Sequence, residues 1–273
     1  MGIGRFLHKG PNMTEDYARF QYVVKQKTGL DLTLYKEKQM KRRLQNFYER
    51  YQFQSFMEFF EEGLSRDDKL LHQFLDRVTI NVSEFYRNKE RWLEFEREIV
   101  PILKEQHLPL SIWSAACSTG EEPYTLSMVF HKQLQANDYH IFATDLDPTV
   151  LEAAKVGQYS ERSLRSLHER EKQFGFHERN RVFEVKGQFK QPITFERHNL
   201  LQDRYPDYVD LIVCRNVLIY MTDIAKQQII TQFSATLKPG GFLFVGSTEQ
   251  LFSPEKYGLE NYKSFIYRKK TSQ

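Results

Sequence analysis

Residues 114–125 read SAACSTGEEPYT, between an apolar run of strand character, LSIWSAAC, and a segment of helical spacing, EPYTLSMVFHKQL. A strand, a turn of small residues and a helix make one βα unit. In an open α/β sheet, ligands bind beyond the carboxyl ends of the strands. Small residues there let a ligand approach the backbone, so Ala115 and Gly120 are candidate ligand contacts. The turn is not a dinucleotide fingerprint, because Ala115 and Cys117 stand where glycines are required. No lysine follows Gly120, which excludes a triphosphate-binding loop. Glu121 and Glu122 would repel a diphosphate from a helix N-terminus. The turn therefore suits a ligand without phosphates that carries a positive group.

YHIFATDLD is a second strand, ending at Asp145. A carboxylate at that place in the fold accepts hydrogen bonds from ribose hydroxyls. A nucleoside with a cationic, amino-acid-like tail and no phosphate is S-adenosyl-L-methionine. The alternation continues through PTVLEAAKVG, YVDLIVCRN, DIAKQQIITQFSATL and GGFLFVGS, with YKSFIYRKK as a closing strand. Strands alternating with helices predict an α/β fold with a mostly parallel, helix-covered sheet. Residues 181–199 break the rhythm. There RVFEVKG and PITFERHNL alternate like short antiparallel strands, which predicts a small inserted β-subdomain.

From residue 12 to residue 87 only helical signals appear. Thr14 and Asp16 mark an N-cap region, Phe20, Val23 and Val24 follow at helical spacing, and Gly29 ends the helix. LTLYKEKQMKRRLQNFYERY puts Leu34, Met40, Leu44, Phe47 and Tyr51 on one face. SFMEFFEEGL and DDKLLHQFLDRVTI supply two more helices, so this segment is all-α.

A chain of 273 residues has room for one large domain or two modest ones. With 40% hydrophobic and 14% aromatic residues it builds cores rather than staying disordered. The net charge of +3 makes no demand for nucleic acid. No apolar run is long enough for a membrane span or a signal peptide. The chain begins Met-Gly, but Phe6 breaks the myristoylation pattern. Cys117 and Cys214 lie in apolar runs, as reduced, buried thiols of a cytosolic protein do. No His/Cys spacing resembles a zinc site, and His168, His177 and His198 read as surface residues.

The stretches TINVSEFYR, SAACSTGEEPYT, ATDLD, HNLL, CRNVLIYM and LKPGGFLFVGSTE occur in the order and spacing of the chemotaxis receptor methyltransferases. The chain resembles this CheR family from about residue 17 to residue 268. The resemblance implies a helical N-terminal domain at 12–87 that docks substrate. It implies a Rossmann-like class I methyltransferase domain at 88–273, with the β-subdomain at about 160–198. The implied activity is methyl transfer from S-adenosyl-L-methionine to glutamate side chains on the cytoplasmic domain of methyl-accepting chemotaxis receptors. S-adenosyl-L-homocysteine is the product. A cytoplasmic monomer is expected, without membrane insertion or nucleic-acid binding.

Carried over onto matching positions, the resemblance assigns Asn81, Ser83 and Arg87 to a linker that reaches the cofactor. Glu122 faces the methionine part or its amine, and Asp145 the ribose. Asn199 and Leu200 flank the adenine, and Asn216 and Val217 hold the methionine end. Ser83 stands where many relatives carry Thr, which keeps the hydroxyl, and Tyr86 replaces a common Phe.

A glutamate acceptor is already ionised at neutral pH and needs no general base. A thioether leaving group needs no general acid. What remains is positioning and removal of water. Arg87 is expected to orient a carboxylate through its planar fork, and Tyr220 to hydrogen-bond near the methyl group. Lys38, Lys41, Arg42 and Arg43 share one short helix and form an expected dock for an acidic helical bundle. In some relatives the β-subdomain grips a peptide at the receptor's C-terminus. The stretch between Tyr159 and Asn199 is short for that, so no such tether is expected.

The alternative is a nucleic-acid methyltransferase on the same cofactor fold. Amino-methylating enzymes of that kind carry an Asn/Asp-Pro-Pro-aromatic motif after the fourth strand, where this chain has CRNVLIY. A non-catalytic adaptor would show a ruined cofactor turn, and this turn is intact.

Overall fold

The structure, a computed structural model, describes residues 13–79 and 83–271. These residues form two compact units. One holds 13–79 together with Tyr220–Thr222, and the other holds the rest.

The first unit is helical, with helices Met13–Thr28, Glu37–Arg50 and Asp68–Thr79, and with Phe56–Glu58 running into a π-helical turn Phe59–Leu64. Its core is aromatic. Phe20 meets Phe56 at 5.2 Å and Phe74 edge-on at 5.8 Å, and Tyr48 meets Phe56 edge-on at 4.9 Å. Such pairs contribute about 0.5–1.5 kcal/mol beyond burial. Two expectations change here. Asp16 does not cap its own helix. Its buried carboxylate accepts the N–H groups of Phe56 and Met57 at 2.8 and 3.1 Å, so it caps a helix elsewhere in the unit. Tyr48, not Tyr51, completes the buried face of Glu37–Arg50, because the helix ends at Tyr51 and leaves that ring 40% exposed.

The second unit is built on a seven-stranded sheet. Its strands are β1 (Leu110–Ala115), β2 (Tyr139–Asp145), β6 (Ile193–Arg197), β7 (Val209–Cys214), β8 (Leu237–Val245), β9 (Leu259–Lys263) and β10 (Ile266–Lys269). A separate three-stranded antiparallel sheet holds β3 (Gln158–Ser160), β4 (Phe176–Arg179) and β5 (Val182–Val185), in the order β3-β5-β4. The main order is β6-β2-β1-β7-β8-β10-β9. The pairs from β6 to β8 are parallel, and β10 runs against both its neighbours. Strand order therefore reverses between β1 and β7, the switch point at which open α/β sheets bind ligands.

Three details depart from the sequence pattern. PITFERHNL is not part of the insertion: its Ile193–Arg197 segment is the parallel edge strand β6, with Ile193 opposite Ile141. An edge strand also alternates, so periodicity alone did not separate the two cases. YKSFIYRKK is not one strand: it spans the end of β9, a turn with Phe265 at φ +65°, and the whole of β10, which is the strand that closes the sheet against β8. His198 is not on the surface. Its ring lies edge-on to Trp113 at 5.3 Å and to Tyr205 at 5.5 Å. In addition, Ser83–Arg87 groups with the α/β unit although the helical signals ran to residue 87. The backbone of Phe85 donates to the Ser163 carbonyl at 3.0 Å, and its ring meets Tyr159 and Phe176 edge-on. No helix among the described residues is long and apolar enough to cross a membrane.

Candidate active site

Beyond β1 the backbone turns sharply. Ala116 and Ser118 take φ values of +63° and +49°, a conformation that costs a non-glycine residue about 1 kcal/mol or more. Two hydrogen bonds hold it there: Cys117 N–H to the Thr144 carbonyl and Ser118 N–H to Asp145 Oδ2, both 2.8 Å. Gly120 follows at φ +94° and starts the helix Glu121–His131. A Cβ on it would lie 2.9 Å from Ala154 Cβ and 3.0 Å from the Tyr159 hydroxyl. The glycine is thus required by packing as well as by dihedral angle.

Asp145 ends β2 with Oδ2 on Ser118 N–H and Oδ1 on Asp147 N–H at 3.0 Å. Each oxygen keeps a further lone pair. Burial pushes its pKa up to about 6, against the pull of these N–H donors. The next helix, Pro148–Val156, is capped by Asp147, whose carboxylate accepts Thr149 N–H at 2.8 Å, and this leaves Asp145 free of that task. The His198 N–H donates to the Asp145 carbonyl at 2.9 Å, which brings Asn199 and Leu200 to the same strand end. Asn199 Oδ1 accepts Leu201 N–H at 3.0 Å, and Leu200 is buried.

Glu122 takes the Ser114 hydroxyl at 2.9 Å. Withdrawal from water raises its pKa to about 7, while the positive charge of Arg215 pulls the other way. Arg215, only 7% exposed, lies against the rings of both Trp92 (5.1 Å) and Phe244 (4.9 Å). It donates to the Arg87 carbonyl at 2.7 Å, and burial lowers its pKa. Glu249 closes the network by accepting N–H groups from Asn216 (2.6 Å) and Gly246 (2.8 Å). Any Cβ on Gly246 would strike the Glu249 carboxylate. Asn216 sits at φ +63°, and its buried Oδ1 has no partner among the described residues. The buried Ser118 hydroxyl is unpartnered in the same sense. Buried polar atoms normally have partners, so both await one.

The family description "CheR methyltransferase, all-alpha domain" matches residues 15–79, and "CheR methyltransferase, SAM binding domain" matches residues 81–266. The chain belongs to the CheR methyltransferase family. It is 43% identical over 260 residues to the chemotaxis protein methyltransferases of Listeria innocua and Listeria monocytogenes, covering 95% of this chain and 99% of each relative. It is 32% identical over 270 residues to chemotaxis protein methyltransferase 1 of Pseudomonas aeruginosa, covering 93% of this chain and 98% of that one.

The site fits the S-adenosylmethionine that this CheR domain binds. Buried, incompletely satisfied acceptors on Asp145, Glu122 and Asn216 match hydroxyls and an ammonium. Among the sequence-derived contacts, Ala115, Gly120, Glu122, Asp145, Asn199, Leu200, Asn216 and Val217 all lie at the carboxyl ends of the strands or just beyond them. Ser83 and Arg87 line a cavity of about 400 Å³ with Thr119 and Glu121. Asn81 lies outside the described residues. Tyr220 belongs to the helical unit, where its carbonyl accepts Lys36 N–H at 2.9 Å and its ring carries the Arg43 guanidinium at 5.5 Å. In the same unit Lys38 and Arg42 are exposed, whereas Lys41 packs its ammonium 5.3 Å from the Tyr17 ring. Sequence reasoning missed Ser114, Arg215 and Glu249. The only signal was their position inside the strand-end motifs SAACSTG, CRNVLIY and GSTE.

Proposed function

We propose that this protein is an S-adenosyl-L-methionine-dependent protein-glutamate O-methyltransferase acting on the cytoplasmic domain of methyl-accepting chemotaxis receptors. The observation that carries the reading is a turn without phosphate-binding groups that has a buried carboxylate on each side. Those carboxylates, Asp145 and Glu122, suit a ribose and an ammonium respectively, and the chain aligns along its length with chemotaxis methyltransferases.

When bound, S-adenosyl-L-methionine supplies a methyl group activated by its sulfonium, and it leaves as S-adenosyl-L-homocysteine. Asp145 accepts the ribose hydroxyls with its remaining lone pairs. Glu122 pairs with the ammonium, and Asn216 Oδ1 finds its missing donor at the same end, next to Val217. Asn199 and Leu200 flank the adenine, while Ser83 and Arg87 reach in from the linker. The acceptor carboxylate is ionised at neutral pH, so no residue needs to remove a proton. Arg87 orients a carboxylate through two parallel N–H donors. The remaining work is alignment and exclusion of water, which favours the charge-cancelling transfer.

Lys38 and Arg42, one helical turn apart and without an ion-pair partner among the described residues, offer a docking face to an acidic receptor helix, with Lys41 beside them. The protein acts as a cytoplasmic monomer. The test is transfer of radiolabel from S-adenosyl-L-methionine to a receptor cytoplasmic fragment, with RNA as the competing acceptor. Label on the fragment supports the reading, and label on RNA alone replaces it with nucleic-acid methylation.

A further inference from the structure

The cavity beside Arg87 holds charge that the assigned contacts do not use. Besides Arg87 it is lined by Arg162 and Arg165, against the two carboxylates Glu84 and Glu121. Both carboxylates are engaged. Glu84 accepts Arg165 Nε at 2.5 Å. Glu121, 3% exposed, accepts the Thr119 hydroxyl at 2.7 Å. Arg162 has no hydrogen-bond or ion-pair partner among the described residues. Its backbone is nonetheless fixed. It lies in the 3₁₀ turn Glu161–Leu164 after β3, with Leu164 fully buried and the Ser163 carbonyl bonded to Phe85 N–H. A planar, unpaired guanidinium on a rigid turn, facing a cavity in which Arg165 already pairs with Glu84 and a hydroxyl already bonds to Glu121, suits a planar anion.

We propose that Arg162 is a carboxylate-binding residue of this active site, and that the carboxylate it takes is not the one being esterified. The inference rests on the proposed function, because both reactants of that reaction carry such a group. It is either the α-carboxylate of the cofactor or an acidic side chain beside the acceptor glutamate. The inserted β-subdomain then has a binding role of its own, independent of any tether.

Arg162→Ala and Arg162→Lys are compared with the unaltered protein by calorimetry. The probes are S-adenosyl-L-homocysteine, its decarboxylated analogue and a receptor cytoplasmic fragment. Loss of one charge-assisted contact predicts about a tenfold weakening for Arg162→Ala. Arg162→Lys falls between, since lysine lacks the fork. Weakening toward S-adenosyl-L-homocysteine but not toward the decarboxylated analogue assigns the cofactor's carboxylate. Weakening toward the fragment alone assigns the acceptor's. Affinities within about twofold for all three probes overturn the proposal, as does equal weakening toward both nucleosides. An unaltered protein that binds S-adenosyl-L-homocysteine but not the fragment counts against the proposed acceptor, and the two nucleosides then decide the case of Arg162.

Discussion

The carboxylate of Glu249 accepts the backbone N–H of Asn216 at 2.6 Å and that of Gly246 at 2.8 Å, so one side chain joins the ends of β7 and β8. Glu249→Ala strands both N–H groups in a buried place. Each unsatisfied donor costs about 1–3 kcal/mol, so the melting temperature should fall by roughly 5–10 °C. S-adenosyl-L-homocysteine affinity should fall with it, because the Asn216 loop is released. Circular dichroism melting and calorimetry read the two effects, and an unchanged melting temperature contradicts this role.

Gly120→Ala tests the turn. The new methyl meets Ala154 and Tyr159 at about van der Waals overlap, and the backbone stays at φ +94°. Together these cost about 1–3 kcal/mol. The expected result is a protein of lower unfolding midpoint in urea whose cofactor affinity drops at least tenfold. Full affinity would show that the turn tolerates a side chain.

Glu122 predicts a pH dependence. Its pKa in the folded protein is about 7, raised by burial from 4.5. An ammonium binds the ionised form, so below pH 7 binding must displace a proton. Affinity for S-adenosyl-L-homocysteine should fall as pH drops from about 8 to 6, by up to about tenfold per unit. Glu122→Gln should bind weakly with a flatter profile. The sign for stability is opposite. Between 4.5 and 7 the folded state holds the extra proton, so this group's contribution to stability falls as pH rises through that window and is level above it. A flat binding profile in the unaltered protein would contradict an ionised Glu122 as the amine's partner.

Much of this site was legible in the sequence because its chemistry is local. The strand, the small-residue turn and the helix around Gly120 are contiguous, and Asp145 closes the next strand. Arg215 was not legible, because its partners Trp92, Phe244 and Arg87 meet it only through the folded sheet. Asp16 was misplaced for the same reason: its capping partner lies 40 residues away. The edge strand β6 and the buried His198 show a related limit. Alternation and polarity do not reveal which strand lies alongside or what a ring packs against.

Charge reversal at Lys38 and Arg42 should raise the KM for a receptor fragment several-fold at low salt and much less at high salt, since exposed pairs are screened. Calorimetry with S-adenosyl-L-homocysteine should give the unaltered affinity. A parallel loss of cofactor binding would point to unfolding instead of docking.

Arg87→Ala should remain folded and lose most transfer, at least about a hundredfold, because the guanidinium orients a reacting or anchoring carboxylate. A melting curve and a single-turnover assay separate the two properties. Near-normal turnover would remove Arg87 from the chemistry.

The most direct measurement concerns the bond that is made. A chemoreceptor cytoplasmic fragment is labelled with radioactive S-adenosyl-L-methionine and then treated with mild alkali. Release of the label as volatile methanol is the predicted result, because a glutamyl methyl ester hydrolyses under those conditions. Label that stays on the fragment through alkali would mean an amine or ring nitrogen had been methylated, and would contradict the account.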